Sequence, residues 1–218
     1  RWIRESQGPF LTLYDILLSN IFSLALLFLV VSAAIPAVRV GTLVATPLLL
    51  LLGIWLAGVS EIAAPLPGAF DNAWLWVHVL SGKLFLGLNL AATAAASVML
   101  LQGSRPNSRL AFLTPDPQQS EQMIWALFFV SFIGHSVMLV AGAVWAHSAW
   151  GRYWSWDPLE TWTLVTWLML GGILHARVTF RNLSQRAGHG LILAAFVVAF
   201  LTFFGVPFLS IAPHKGLM

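Results

Sequence analysis

The side chains in this sequence that could do chemistry are tryptophans and histidines near the ends of long apolar runs. Residues 150–162 contain four tryptophans, one tyrosine and two carboxylates, and six of the eleven tryptophans lie between positions 145 and 167. A loop between membrane helices usually carries only one or two interfacial aromatic residues. Flat rings at this density favour a flat, apolar ligand held at a membrane surface.

Two histidines are expected at the same surface. His78 lies at the start of the third apolar run, four residues after Trp74, and His214 follows the sixth run. Two neutral imidazoles on opposite sides of a flat macrocycle can form the axial pair of haem iron. His78 and His214 therefore predict a haem b site with the iron between them. Arg152, and Lys83 if its side chain extends outward, could bind the haem propionates.

Four other polar residues near helix ends have structural explanations. Asp157 precedes Pro158, where an aspartate accepts hydrogen bonds from unpaired helix N–H groups and proline is tolerated. A position at the haem edge is an equally weighted alternative for Asp157. Glu160 lies in the same first helical turn, and His147 and His189 are interpreted as interfacial polar residues.

Two histidines lie deep within apolar runs, where ionisable residues are functional candidates by default. At about 1.5 Å per residue, His175 lies roughly 25 Å, and His135 roughly 20 Å, from the helix end nearest the tryptophan loop. These similar depths allow an internal haem bound by both residues. The alternative is a hydrogen bond from His135 to a hydroxyl such as that of Thr163 or Thr166.

The composition indicates an integral membrane protein: 59% of the residues are hydrophobic, 9% are charged, and the mean hydropathy is +0.84. The absence of cysteine excludes disulfides, thiolate metal sites and a cysteine nucleophile. The net charge of +3 does not indicate nucleic-acid binding, because the basic residues are spread over short loops. No cleavable signal peptide is apparent at Arg1.

Six apolar runs are long enough to cross about 30 Å of hydrocarbon. They predict an all-α integral membrane protein with six transmembrane helices, at about 14–38, 42–63, 77–102, 123–148, 158–176 and 189–211. The links between them are too short for a soluble domain, so residues 1–218 are expected to form one domain.

The distribution of arginine predicts the orientation, since short loops rich in Lys and Arg face the cytoplasm. Three alternate loops carry most of these residues: Arg39, Arg105, Arg109, Arg177, Arg181 and Arg186. The tryptophan loop and both termini are then expected on the extracytoplasmic side, although Arg1, Arg4, Arg152 and Lys215 also fall there.

The segment from Trp145 reads WAHSAWGRYWSWDPLETWTLVTWLMLGGILHAR. It resembles the tryptophan-rich segment of the WWD family of haem-handling proteins, and within that family the CcsA (ResC) branch of system II cytochrome c synthesis. Two further stretches are similar to the terminal segments of that branch: RWIRESQGPFLTLYDILLSN and FFGVPFLSIAPHKG. The resemblance covers nearly the whole chain and is most specific in the WWD segment, residues 145–167.

The resemblance implies that haem is carried across a bacterial plasma or thylakoid membrane and attached to a CxxCH apocytochrome. The protein would be part of a holocytochrome c synthase with a CcsB (ResB) partner. His78 and His214 match the outer histidines of the family, and His175 matches its transmembrane histidine. The implied haem platform of the WWD segment comprises Trp150, Trp154, Trp156 and Asp157. The sequence departs from the family at four places: Leu159 for lysine, His147 for asparagine, His135 for an apolar residue, and APHKG for GLHSYG.

Two other functions are compatible with the residues. An electron-transfer subunit, exchanging electrons with quinone or a c-type cytochrome, could hold a permanent haem through His135 and His175 but would not need the tryptophan loop. A haem-free scaffold would use tryptophans as an interfacial belt at both surfaces. The predicted inner loops contain no tryptophan, which argues against the scaffold.

Overall fold

A computed structural model describes residues 12–60, 72–104, 116–180 and 182–206. These residues form helices and connecting loops without β-strands, which confirms the predicted all-α fold. The elements, in chain order, are α1 (Leu13–Ala34), a 3₁₀ helix (Pro36–Gly41), α2 (Thr42–Ala57), α3 (Ala73–Ser104), α4 (Pro117–Trp150), α5 (Pro158–Thr179) and α6 (Gln185–Phe204).

The protein is an integral membrane protein, and its helices lie close to the six predicted spans. Five of the described helical segments are long and apolar enough to cross a membrane. The exception is α5, whose hydropathy is diluted by hydroxyl and charged side chains such as Glu160 and Arg177. The predicted spans 77–102 and 123–148 belong to the longer helices α3 and α4, because polar flanking residues extend each helix beyond its apolar centre.

Local sequence explains where the helices begin and end. The Asp157 carboxylate accepts a hydrogen bond from the Glu160 N–H at 2.9 Å and caps α5, a contact that contributes about 1 kcal/mol. Asp116 caps α4 in the same way. Gly151 ends α4 with a φ of +72°, a left-handed conformation that glycine adopts without steric cost.

The central helix of the bundle is α3, which packs along α4 and contacts α1 and α6. Its middle is lined by fully buried small residues, including Ala91, Ala92 and Ala94. On α4, an added Cβ at Gly134 would lie 3.4 Å from the backbone of Ser81 and Phe85. Small residues let membrane helices approach closely, and this approach fixes the register between α3 and α4.

A polar network joins α4, α5 and α6 at the end of the bundle away from the tryptophan loop. The buried Glu121 carboxylate accepts hydrogen bonds from Trp125 Nε1 at 2.8 Å and His189 Nε2 at 2.6 Å. Arg177 lies 3.6 Å from the same carboxylate and stacks over the Trp125 ring. His189 was predicted to be interfacial, but it is buried because Glu121 supplies a partner for its ring.

Lys83 was expected to extend toward the tryptophan loop, and the structure gives it different partners. Its ammonium group donates to Ser19 Oγ at 3.0 Å and to Asn20 Oδ1 at 2.9 Å, both on α1. A charged group inside the bilayer is costly unless polar groups surround it. Lys83 therefore joins α3 to α1, and the prediction that it binds a propionate has no support in this geometry.

Candidate functional site

A cleft of about 100 Å³ opens at the end of the bundle that carries the tryptophan loop, called here the aromatic end. The walls are provided by α3, α4, α5, the loop that joins α4 to α5, and one residue of α6. Small residues of α4 leave room for the cleft, and aromatic residues surround it. The lining residues are His78, Met138, Leu139, Gly142, Ala143, Trp145, Ala146, Tyr153, Trp154, Leu159, Glu160, Thr163 and Phe203.

His78 is the histidine that lines this cleft. Its Nδ1 lies 2.8 Å from the backbone carbonyl oxygen of Met138, and since a carbonyl can only accept, Nδ1 must carry the proton. Nε2 is then the ring nitrogen with the lone pair, as a haem axial ligand requires. A metal-binding histidine usually donates its other N–H to a carbonyl or carboxylate, which fixes its tautomer and orientation.

Gly142 makes this position of His78 possible. An added Cβ at Gly142 would lie 2.6 Å from His78 Nδ1 and 2.8 Å from His78 Cε1. The His78 ring also lies nearly parallel to the Trp145 ring, with centroids 6.2 Å apart, and the Trp145 ring meets Trp150 edge-on at 5.0 Å. Gly142 and Trp145 thus both contribute to the surroundings of the imidazole.

The two tryptophans at the centre of the WWD segment occupy different environments. Trp154 lines the cleft, and its indole Nε1 is buried without a hydrogen-bond partner, so it can donate to a polar group of a ligand. Trp156 is 69% exposed, does not line the cleft, and has a φ of +60°. The Trp156 ring meets the Trp154 ring edge-on at 5.8 Å, and its part in a haem platform stays a prediction.

Ser155, between these two tryptophans, is fixed to α5 by Glu160. One carboxylate oxygen of Glu160 accepts hydrogen bonds from the Ser155 N–H at 2.7 Å and from its hydroxyl at 3.1 Å. Together with the Asp157 cap, these bonds tie the loop to the first turn of α5. Glu160, interpreted from sequence only as a helix-end residue, therefore positions Trp154 at the cleft.

We predict that Glu160→Ala lowers the haem content of the purified protein at least threefold, because the loop carrying Trp154 loses its attachment to α5. Glu160→Gln retains an acceptor oxygen and should preserve most of the haem. The ratio of the Soret band to the protein absorbance measures the effect. Equal haem contents in Glu160→Ala and wild type would show that the loop does not depend on this bond.

Three other residues singled out in the sequence are not among the lining residues of the cleft. Arg152 is exposed and is not among the lining residues. Asp157 is buried as the cap of α5. His147 is exposed and stacks on Tyr153 at 4.2 Å. His214 lies outside the described residues, so the predicted pairing with His78 stays a prediction.

The structure does not bring His135 and His175 together. His135 is fully buried, with its ring 4.3 Å from Phe85 and 6.3 Å from Phe203, and both its ring nitrogens lack a hydrogen-bond partner. The alternative of a bond to Thr166 is not observed, because that hydroxyl contacts Thr202 at 3.0 Å. His175 is exposed on α5, with Nε2 3.4 Å from the Thr179 hydroxyl.

Sequence reasoning missed three residues that shape the cleft. The Met138 carbonyl and Gly142 depend on the register between α3 and α4, which the sequence does not state. Phe203 reaches the cleft from α6, nearly fifty positions after the tryptophan loop. The sequence offered one signal for Gly142: it is a small residue one helical turn after Met138, on the helix that also carries Trp145.

The described residues contain no group of three or more His, Cys, Asp or Glu that could hold a bare metal ion. A haem needs only axial ligands from protein side chains, because the porphyrin supplies the others. One correctly oriented imidazole, an apolar aromatic wall and a buried indole N–H therefore fit haem better than a free cation.

Fold and site together define the class: an all-α integral membrane protein with an aromatic, histidine-containing cleft at one end of its bundle. Residues 10–214 match the family model of the cytochrome C assembly protein, and the chain belongs to that family.

Individual relatives agree with this assignment. Over 237 residues the chain is 29% identical to a Guillardia theta protein named cytochrome c biogenesis protein CcsA, covering 99% of this chain and 78% of the relative. A protein of the same name from Synechococcus sp. (strain CC9902) is 30% identical over 245 residues, covering 99% and 80%. One from Gloeobacter violaceus is 43% identical over 95 residues, covering 44% of this chain and 28% of the relative.

Proposed function

We propose that this protein serves cytochrome c biogenesis by carrying haem across the membrane and presenting it at the aromatic end to a CxxCH apocytochrome. The observation that carries this proposal is His78, whose Nδ1–H donates to the Met138 carbonyl and whose Nε2 is the nitrogen suited to iron. Bound haem would supply the iron and the vinyl groups that react with the client's thiols.

The residues of the chain would bind and orient rather than react. His78 would provide one axial ligand and His214 the other, as the resemblance implies. Trp145 and Trp154 provide apolar ring surface, which excludes water and adds about 1 kcal/mol per ring contact beyond the area buried. Holding two reactants in a fixed geometry accelerates their reaction without an acid–base group of the protein.

We place the aromatic end on the extracytoplasmic side, because the arginines of the opposite loops favour the cytoplasm. His175 would bind haem on its way outward. It is exposed on a helix of an integral membrane protein, and an exposed intramembrane imidazole is costly unless another surface covers it. A CcsB (ResB)-type partner that contributes the second ligand would provide that surface. We do not propose that His175 and His135 bind one haem together.

The proposal is tested by an absorption spectrum of the protein purified with its partner, followed by incubation with a CxxCH peptide under reducing conditions. We expect a Soret band, split α and β bands after reduction, and haem bound covalently to the peptide. A spectrum without haem would reject the proposal. Haem that stays with the protein would instead favour a permanent electron-transfer cofactor.

A further inference from the structure

The inward face of α5 consists of residues spaced alternately three and four positions apart. This spacing places side chains on one face of a helix. The first four of these residues are buried, and the fifth, Arg177, contacts Glu121 on α4. In chain order they are Thr163, Thr166, Leu170, Ile173 and Arg177. Arg177 therefore continues the face that α5 turns toward the bundle.

His175 lies on the opposite face of α5. With 3.6 residues per turn, each residue advances about 100° around the helix axis. His175 is two positions from both Ile173 and Arg177, so it lies about 200° away from each of them. Its side chain is exposed, as is that of Leu168, seven positions earlier. A contact that fixes the direction of Arg177 therefore also fixes the direction of His175.

The Glu121 carboxylate is a well-anchored partner for Arg177. One of its oxygens accepts a hydrogen bond from His189 Nε2 on α6 at 2.6 Å. The other accepts a hydrogen bond from Trp125 Nε1 at 2.8 Å and lies 3.6 Å from the Arg177 guanidinium. The Glu121 side chain is only 8% exposed, and a buried charge is strongly destabilising when its partner is removed. Glu121 therefore holds the guanidinium at the side of α5 that faces α4 and α6.

Trp125 provides a second contact for the same guanidinium. The Cζ atom of Arg177 lies 5.1 Å from the centroid of the Trp125 ring, within the range of a cation–π interaction. Gly188 on α6 leaves room for this ring, because an added Cβ there would lie 2.8 Å from Trp125 Cζ2. Arginine stacks on aromatic faces through its planar group, whereas lysine is a compact point charge. Arg177 is thus held both by charge and by ring stacking.

Two further polar contacts join α5 to its neighbours nearer the aromatic end. They link Trp167 to Ser136 at 2.8 Å and Thr166 to Thr202 at 3.0 Å. Both lie at least ten residues before Arg177, or roughly 15 Å along the helix axis. The last turns of α5 lie beyond these contacts, where Arg177 attaches them to the bundle.

We propose that Arg177 is a positioning residue: held by Glu121 and Trp125, it fixes the rotation of the last turns of α5 and so presents His175 on the outer face of the bundle as an iron ligand. This inference rests on the proposed function and adds the residues that orient its inner ligand. Arg177 does not contact the haem in this proposal and acts only through the direction of the helix.

The test isolates the inner site in the His78→Ala/His214→Ala background, with each complex purified together with the partner protein. His175 is then the proposed iron ligand that remains in this chain, and His175→Ala should remove the low-spin haem spectrum. Glu121→Gln keeps the shape and one acceptor oxygen but removes the charge opposite Arg177. We expect the low-spin haem per protein to fall at least threefold in this variant.

Conservative and control variants separate positioning from a general loss of packing. Arg177→Met should have the same effect as Glu121→Gln, and the two changes together should cause no further loss, because both act through one contact. Arg177→Lys retains the charge and should keep more than half of the low-spin haem. Thr166→Val is the matched control, since it removes the contact with Thr202 from the same face of α5. It should leave the spectrum unchanged.

A measurement without haem tests the rotation directly. The chain contains no cysteine, so single cysteines can be introduced and labelled with N-ethylmaleimide in detergent. Ile173→Cys should react at least fivefold faster when combined with Glu121→Gln, because the inward face of the last turns leaves the bundle. Leu170→Cys, which lies one turn nearer the aromatic end, should stay protected in the same background.

Unchanged low-spin haem in Glu121→Gln and Arg177→Met would overturn the positioning role and leave the proposed function standing. So would an Ile173→Cys that stays unreactive in the Glu121→Gln background. Reactivity at Leu170→Cys would indicate that the whole helix has left the bundle, and it would also overturn the proposal of a local rotation. A parent complex without haem would instead reject the proposed function, and with it the role of His175 as an iron ligand.

Discussion

His78→Ala is expected to abolish cytochrome c assembly, with a loss of at least tenfold in covalent haem at an unchanged level of membrane protein. The substitution removes the imidazole whose Nδ1–H donates to the Met138 carbonyl, and with it the iron ligand that we propose for the cleft. Haem staining of the membrane fraction measures the result. His214→Ala should have the same effect if the two histidines form the predicted axial pair.

Exogenous imidazole should partly restore assembly in His78→Ala, because a small ligand can occupy the space left by the deleted ring and bind the iron. His147→Ala is a suitable control, since His147 is exposed and stacks only on Tyr153 among the described rings. It should assemble cytochrome at the wild-type level. Normal assembly in His78→Ala would refute the outer histidine model, whatever the behaviour of the control.

Hydropathy was sufficient to predict the helical architecture. Within the bilayer, a single apolar segment can satisfy its own backbone hydrogen bonds only as an α-helix. All six predicted spans accordingly correspond to helices. The ends were less predictable. The residues just before 123 belong to α4, because Asp116 and Pro117 start a helix outside the apolar stretch. Hydropathy also could not show that the first turns of α5 line the cleft, through Leu159, Glu160 and Thr163.

The sequence predicted those parts of the candidate site that follow from the helix end at which a residue lies. His78 and the tryptophan loop were placed together by counting spans, and the structure places His78, Trp145 and Trp154 around one cleft. The sequence could not predict toward which neighbouring helix a side chain points, because that depends on the rotation of its own helix about the helix axis. His135 has a suitable depth, yet it faces Phe85 and Phe203 rather than α5.

The sequence also could not predict the backbone conformation of the loop between α4 and α5. The φ of +60° at Trp156 is rare for a bulky residue, and such strain persists only when the surrounding structure enforces it. Here the Glu160–Ser155 hydrogen bonds and the Asp157 cap fix the residues on either side. The result directs Trp154 into the cleft and Trp156 outward, although the two residues look equivalent in the sequence.

Gly142→Ala tests the geometry of His78 more selectively than removal of the histidine. The new methyl group would lie 2.6 Å from Nδ1, well inside van der Waals contact, so the imidazole must leave its hydrogen bond to the Met138 carbonyl. Alanine has a higher helix propensity than glycine by about 1 kcal/mol, and the displaced ring is the mobile end of a side chain. We therefore expect the protein to fold and insert normally but to assemble at least fivefold less cytochrome c.

Gly172→Ala is the matched control, because an added Cβ there meets no atom within 4 Å and the change in helix propensity is the same. It should leave the haem spectrum and the cytochrome yield unchanged. The spectrum of Gly142→Ala should shift from low spin toward high spin, since a misplaced imidazole binds the iron weakly or not at all. Equal yields and equal spectra in the two variants would show that the contact between Gly142 and His78 does not set the ligand geometry, and His78 would then have to bind from a different conformation.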